Sequence, residues 1–206
     1  MTEKTKNKEE NGISFREYFE SFLKMQEFII NDLIRATIWA RANFLVAMGI
    51  FNYIEILGSF CLPDGNCKER FNFVFENELL PKEYKNFYNK LKMITDPYHC
   101  LRCGMVHEYL IKTYLKEGKP SITISFTIYG VESYEEYERN IFSKKCGLEL
   151  IVWEKDKSYH INVYNPRLIH DLNLAFENFK QKINEDMFYR ENFLKRAKEI
   201  RLEKLK

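Results

Sequence analysis

Residues 97–109 read Pro97-Tyr-His-Cys-Leu-Arg102-Cys-Gly-Met-Val-His107-Glu-Tyr109. The stretch is apolar at helical intervals. Asp96, just before it, is a typical N-cap residue, and Pro97 suits the first turn of a helix. The stretch therefore predicts a short helix that starts at Pro97 and runs to Ile111 or beyond. That helix carries an arginine that keeps its charge at physiological pH and a histidine that titrates near neutrality. These two side chains are the strongest candidates for chemistry in the chain.

Helical patterns flank this stretch on both sides. Ser14-Phe-Arg-Glu17 is a capping box and predicts that a helix starts at Phe15. A second helix is predicted over 32–60, with a bend where it meets the first. Apolar residues at helical spacing predict further helices over 69–79 and 81–94. Asn165-Pro166 predicts the start of a helix over 166–183, followed by a last helix over 186–206.

A different pattern occupies the middle of the chain. Residues 121–129 read SITISFTIY, an alternation of polar and β-branched or aromatic residues that is typical of a strand. Residues 147–154 and 158–164 predict a hairpin, and the stretch 131–141 between is helical or irregular. The predicted fold is mainly α, an antiparallel helical bundle with a small antiparallel β-sheet inserted at about 120–164. Residues 1–13 are expected to be disordered, and 14–206 to form one domain.

Composition limits the function classes. The 206 residues are 45% hydrophobic and carry a net charge of only +2. The overall electrostatic field of the chain therefore does not by itself indicate binding to nucleic acid or to a membrane. The five cysteines and the polar first ten residues predict a cytoplasmic protein with reduced thiols. Arg35, Arg41 and Glu55 interrupt the longest apolar region, which argues against a membrane span.

At Arg102-Cys-Gly-Met-Val-His107 the chain resembles the HEPN superfamily, whose helical-bundle members carry an arginine, four to six intervening residues and a histidine. Asn52-Tyr-Ile-Glu55-Ile-Leu-Gly58 looks like the helix with an acidic residue that faces this motif in that superfamily. The segment RCGMVHEY, residues 102–109, is similar to the corresponding segment of uncharacterised prokaryotic HEPN-like proteins. The resemblance covers about 15–115 and, more weakly, the helix after Pro166, but not the sheet.

The resemblance implies a helical-bundle homodimer and a metal-independent endoribonuclease, with both motifs at the dimer interface. Some members of the superfamily are toxins, and others have lost catalysis. Cys103 departs from the family pattern, because the position after the arginine is often polar in active members. The expected partners are a second copy of the chain and RNA, with a protein partner as the alternative and no membrane. No metal or cofactor is expected.

The residues themselves suit metal-free RNA cleavage, which needs a base, an acid and positive charge at the phosphate. His107 suits proton transfer, and Arg102 suits the phosphate because of its fork of N–H donors. Glu55 would orient either one, and Tyr98 and Tyr109 would stack on bases. One histidine per chain cannot be both acid and base, so a two-fold dimer is expected to supply the second. On a regular helix, Arg102 and His107 point about 140° apart, so Arg102 must reach across.

Alternatives remain open. In the first, Arg102 and Glu55 form a structural ion pair and His107 is a core histidine, which makes the protein a non-catalytic HEPN-fold module whose sheet recognises a partner protein. Zinc binding by cysteines and a histidine is a more distant alternative. The basic stretch 187–206 suits either a solvated helix face or phosphate contacts. The zinc candidates are Cys61, Cys67, His99, Cys100 and Cys103.

Overall fold

The computed structural model describes residues 14–104, 111–114, 122–153 and 158–204. The protein is mainly α with a small mixed β-sheet. Before the sheet, the helices are α1 (Phe15–Ile38), α2 (Asn43–Cys61), α3 (Cys67–Glu76), α4 (Lys82–Ile94) and a π-helical segment (Tyr98–Gly104). Within and after it are α5 (Tyr134–Ser143), α6 (Asn165–Glu185), α7 (Met187–Glu199) and a 3₁₀ turn (Leu202–Lys204). The strands are β1 (Ile111–Tyr114), β2 (Ile122–Tyr129), β3 (Leu148–Trp153) and β4 (Ser158–Tyr164).

The first helix starts at the predicted capping box. Ser14 N donates to Glu17 Oε2 at 2.7 Å, and Glu17 N donates to Ser14 Oγ at 3.3 Å. The predicted bend near residue 32 is wrong, because α1 continues to Ile38 and the break lies at residues 39–42. There Arg41 takes a left-handed backbone conformation with φ of 50°, which ends one helix and redirects the chain into the next.

Helix α2 is the central helix of the core. It packs against α1, α3, α6 and α7, and its residues Ile50, Phe51 and Ile54 are fully buried. By length and composition it could cross a membrane, but 56% of that window is buried inside the protein. Core helices of globular proteins often have this composition, because apolar partners surround them.

Aromatic side chains fill the space between the ends of the chain. Phe22 of α1 packs edge-on against Phe60 of α2 and Phe193 of α7, with ring centroids 5.2 and 5.5 Å apart. Phe179 of α6 contacts Phe22 at 5.6 Å. Such edge-to-face pairs are favourable beyond their buried area. The helices before and after the sheet therefore share one core, as the apolar periodicity predicted.

The sheet is mixed, not antiparallel as predicted. Its strand order is β1-β2-β4-β3. The predicted hairpin is confirmed, since β3 and β4 pair antiparallel, with Leu150 opposite Ile161. However, β2 lies beside β4 in parallel, with Phe126 opposite Ile161. Helix α5 and β3 separate these two strands in sequence, and a connection of that length permits parallel pairing.

The predicted helix from Pro97 does not continue through Ile111. Its first part, Tyr98–Gly104, is π-helical, residues 105–110 lie outside the described residues, and residues 111–114 form β1, which pairs antiparallel with β2. Ile111-Lys-Thr-Tyr114 is rich in β-branched and aromatic residues, which favour strands. Pairing with β2 therefore decides the conformation of this stretch.

A buried polar network joins the sheet to the helices. The hydroxyl of Tyr84 donates to Asp171 Oδ2 at 2.7 Å and accepts from the N–H of Gly147 at 2.8 Å. Arg167 Nε donates to the same Asp171 oxygen at 2.8 Å, and its Nη1 donates to the carbonyl of Ile141 at 3.1 Å. These contacts hold α4, α5 and α6 at the start of β3.

Candidate functional site

The π-helical segment is anchored at its start by Asp96, as predicted. Asp96 Oδ1 accepts from the backbone N–H groups of Tyr98 and His99 at 3.1 and 3.5 Å. Its other oxygen pairs with Lys68 Nζ at 2.5 Å. Partial burial acts to raise the pKa of the Asp96 carboxyl, but the Lys68 ammonium and the backbone donors outweigh it and lower that pKa. A charged Asp96 therefore fixes the segment that carries Arg102.

The segment contacts α2, α3 and β1. Its backbone is a π-helix, and π-helical turns are rare and often occur at functional sites. The predicted separation of Arg102 and His107 by about 140° assumed a regular α-helix. The described part of the stretch is π-helical and His107 lies outside the described residues, so the separation of about 140° stays a prediction.

Arg102 and Glu55 form an ion pair between this segment and α2. Arg102 Nε donates to Glu55 Oε2 at 3.2 Å, and the two side chains are 25% and 18% exposed. The contact that the sequence predicted between these residues is present. The ion pair holds the Arg102 side chain toward Glu55. Because a quarter of that side chain is exposed, part of it stays in contact with solvent.

Glu55 has a second neighbour that the sequence did not indicate in this role. A hydrogen bond to Glu55 is the main cause of a raised pKa at the Cys67 thiol, with smaller contributions from desolvation and from the Glu55 charge. Cys67 is the first residue of α3, which the Asn66 side chain caps by accepting from the N–H of Glu69 at 3.0 Å. No spacing in the sequence links residues 55 and 67, because the loop between α2 and α3 brings them together.

Tyr98 completes this group. Burial, the charge of Glu55 and the nearby Cys103 thiol raise the pKa of Tyr98 to about 12, with burial the largest cause. Its ring packs edge-on against Phe71 of α3 at 5.5 Å and lies 5.9 Å from the ring of His99. The predicted role of Tyr98 in base stacking stays a prediction.

His107 and Tyr109 lie outside the described residues. The structure thus brings together Glu55, Tyr98 and Arg102 from the predicted set, and adds Cys67 and Cys103. We call these five residues the Arg102 cluster.

The cysteines of the zinc hypothesis do not assemble in the part of the chain that the structure describes. There, no group of three or more His, Cys, Asp or Glu residues is arranged to hold a metal ion. Cys61 and Cys100 are fully buried, and Cys61 Sγ donates to the carbonyl of Leu57 at 3.5 Å. Burial raises the pKa of the Cys61 thiol well above its usual value, which disfavours the thiolate that binds metal.

Comparison of the chain with protein-family models, with curated proteins and with solved structures gives no match.

Proposed function

We propose that this protein is a HEPN-like, metal-independent endoribonuclease that cleaves single-stranded RNA. The observation that carries the proposal is the hydrogen bond from Arg102 Nε to Glu55 Oε2 at 3.2 Å. A guanidinium that is held through Nε can present its outer N–H groups to a phosphate without first losing side-chain freedom. The Arg-x4-His spacing, with His107 three residues after Gly104, adds the proton-transfer group.

The reaction divides the work between these residues. A histidine takes the proton from a ribose 2′-hydroxyl, and the 2′-oxygen attacks the adjacent phosphorus. The bond to the 5′-oxygen breaks, and a second histidine protonates that leaving group. Arg102 binds the negative charge that builds on the phosphate oxygens, and Glu55 acts as its positioning residue. The products are a 2′,3′-cyclic phosphate and a 5′-hydroxyl, so no metal or water is consumed in this step.

Two histidines are needed, and each chain offers one at the motif. A homodimer with the Arg102–His107 stretches near its two-fold axis supplies both. Dimerisation is therefore part of the proposal, and light scattering at micromolar concentration tests it. A monomer that cleaves RNA at undiminished rate would contradict this part.

The alternative is a non-catalytic binding or assembly module with the same motif. The partial burial of the Arg102–Glu55 pair favours it, because ion pairs that join two helices look the same. In that case Arg102 stabilises the packing of the π-helical segment on α2, and the sheet is the recognition surface.

Cleavage of a labelled single-stranded RNA in the presence of EDTA separates the two functions. We expect the wild type to produce 2′,3′-cyclic phosphate ends, and H107A to lose about 10²–10⁴-fold in rate, the usual size of an acid–base contribution. R102A should lose a comparable factor, and R102K should recover only part of it, because lysine lacks the planar fork.

Two variants control for general effects of the substitutions. R16A removes an exposed arginine that also pairs with a glutamate, Glu20, and H170A removes a histidine of α6 that contacts Phe142 of α5. Both should cleave as the wild type does. Circular dichroism must first show that each variant is folded. If wild-type protein leaves varied RNAs intact, or if the folded R102A and H107A variants cut equally well, the nuclease proposal is wrong and the assembly module is the better account.

A further inference from the structure

The two faces of the sheet differ in character. One face carries Ile124, Phe126, Ile161 and Val163, which are buried or nearly so against the helices. The other face carries the alternate residues of β2, β3 and β4, and it is rich in aromatic and polar side chains. On it, Tyr129 and Trp153 are 44% and 47% exposed. Exposure of large aromatic rings on the polar side of a sheet is a feature that core packing does not explain.

Tyr129 and Tyr164 form a stack on this exposed face. They are direct partners in the parallel pairing of β2 with β4. Their ring centroids lie 4.8 Å apart with only 13° between the ring planes. Tyr164 covers one side of the Tyr129 ring, and the exposure of Tyr129 leaves surface for a further flat group.

Hydrogen bonds hold this stack in place. The hydroxyl of Tyr164 donates to Glu149 Oε2 at 2.7 Å, and Asn162 Nδ2 donates to the same oxygen at 3.1 Å. Asn162 and Tyr164 are both on β4, and Glu149 is on the neighbouring β3. These two donors lower the pKa of the Glu149 carboxyl, so it stays an acceptor at neutral pH. The ring of Tyr164 is therefore fixed before any ligand arrives.

Positive charge lies next to the stack. Lys144 Nζ is 4.5 Å from the centroid of the Tyr164 ring, a cation–π contact. Lys144 and Tyr164 also line a pocket of about 350 Å³ between α4 and β3, together with Lys90, Lys145, Glu83 and Glu149. The three lysines outnumber the two glutamates, and Tyr164, Asn162 and Lys144 already engage Glu149. The charge beside the aromatic stack therefore favours an anionic group.

A flat aromatic group followed by an anion is the chemistry of a nucleotide. The pocket volume lies in the range of small-ligand sites. Bases inside a double helix are already stacked on both sides, so only an unpaired base can extend the Tyr129–Tyr164 stack. Stacking platforms beside basic grooves are the general means by which proteins bind single strands without regard to sequence.

We propose that the exposed face of the sheet binds single-stranded nucleic acid, with one base stacked on Tyr129 and the phosphate backbone further along the strand in contact with Lys144 and Lys145. This site is separate from the Arg102 cluster. It requires neither cleavage nor His107, and it gives the inserted sheet a role that the helical bundle does not supply.

Fluorescence anisotropy with a labelled 12-residue 2′-O-methyl oligouridylate tests the proposal. This probe has no free 2′-hydroxyl, so it cannot be cleaved by the proposed nuclease reaction, and binding is measured whether or not the protein is a nuclease. We expect Y129A to weaken binding by about 10- to 100-fold, as loss of one stacked base does elsewhere. Y129F keeps the ring and should stay within about twofold of the wild type.

The matched control is Tyr134, which is 56% exposed and stacks on another tyrosine, Tyr137, at 6.2 Å. Y134A should bind as the wild type does. Replacement of Lys144 and Lys145 by alanine should weaken binding. It should also reduce the slope of log K against log salt concentration by the equivalent of about one to two phosphate contacts.

A closed circular duplex, which exposes no terminal base pair, should compete poorly. The proposal is overturned if wild-type protein does not bind the single strand at 50 mM salt, if folded Y129A binds unchanged, or if the duplex competes as well as the single strand.

Discussion

At the scale of single residues, Glu55 is the acceptor that organises the Arg102 cluster. It accepts from Arg102 Nε at 3.2 Å, and it raises the pKa of the nearby Cys67 thiol. Exposed ion pairs contribute about 0–1 kcal/mol to stability, whereas breaking a buried pair costs about 3–5 kcal/mol. With side chains 18% and 25% exposed, this pair lies between those limits. Its effect on stability and its effect on chemistry must therefore be measured separately.

A double-mutant cycle makes that separation. We expect E55Q and R102Q each to lower the free energy of unfolding by about 1–3 kcal/mol, and the double variant to lose less than the sum, with a coupling of about 1–2 kcal/mol. Urea denaturation provides the measurement. The exposed pair Arg16–Glu20, at 2.8 Å, is the matched control. Its coupling should not exceed about 0.5 kcal/mol. Equal coupling in both pairs would show that Glu55 does not anchor Arg102.

At the scale of elements, Gly58 allows α3 to cross α2. A Cβ atom at this position would lie 2.0 Å from the carbonyl oxygen of Arg70 on α3. Arg70 in turn donates from Nε to the carbonyl of Leu62 at 3.3 Å and from Nη2 to the carbonyl of Pro63, which fixes the loop between the two helices. That crossing brings Cys67, the first residue of α3, to Glu55.

The substitution G58A should therefore destabilise the protein although alanine favours helices. Because the clash is with backbone, we expect a loss of about 1–3 kcal/mol, the usual cost of overpacking. G49A is the control on the same helix. Its added Cβ would meet only side-chain atoms, Leu33 Cδ2 at 3.3 Å and Tyr53 Cε2 at 3.9 Å, so the propensity gain of up to about 1 kcal/mol should make it neutral or stabilising. Thermal unfolding compares the two, and a G58A variant as stable as G49A would contradict the close approach of α2 and α3.

Local signals in the sequence predicted the elements better than their arrangement. The capping box at Ser14 and Glu17 and the strand alternation at Leu150 act over a few residues, so they are readable without the fold. The left-handed residue Arg41 carries no such signal, because arginine has no preference for that conformation. The parallel pairing of β2 with β4 and the strand at Ile111 depend on partners far along the chain, which no local pattern specifies.

The candidate site divides in the same way. The contact of Arg102 with Glu55 is one of the arrangements that the sequence left open, both for a site and for a structural ion pair. The approach of Cys67 did not follow, because the crossing at Gly58 decides it. The stack of Tyr129 on Tyr164 joins the ends of two strands, and only knowledge of the parallel register places those ends side by side.

At the scale of the whole molecule, tyrosine and cysteine side chains that are partly or fully buried make the fold sensitive to alkali. Burial is the main cause that raises the pKa of Tyr98, Tyr189 and Cys146 each to about 12. In the unfolded chain these groups lose their protons near pH 10 for tyrosine and near 8.5 for cysteine. Between those values and about 12 the unfolded state binds fewer protons than the folded state, so the free energy of unfolding falls as pH rises. Below about pH 8 this contribution is fully present.

We therefore expect the free energy of unfolding to decline steadily between about pH 9 and 12. Urea unfolding at pH 8 and pH 10.5 should show a smaller decline for Y98F and Y189F than for the wild type, because each variant removes one group that the unfolded state would ionise. The exposed Tyr134 supplies the control variant, Y134F. A decline that is the same in all these proteins would assign the alkaline sensitivity to other groups.

The pairing of α1 with α6 and α7 also determines when the fold can be completed during translation. Gln26 of α1 donates to Asn173 and Glu177 of α6, which lie 147 and 151 positions further along the chain. Phe22 of α1 likewise packs against Phe193 of α7. At about 5–20 residues per second, the ribosome delivers those partners roughly 8–30 s after α1 has emerged. For that time the apolar stripe of α1 has no α6 or α7 to cover it. The apolar stripe of α1 is thus open to aggregation and proteolysis during that time, and the arrival of α6 and α7 ends that exposure.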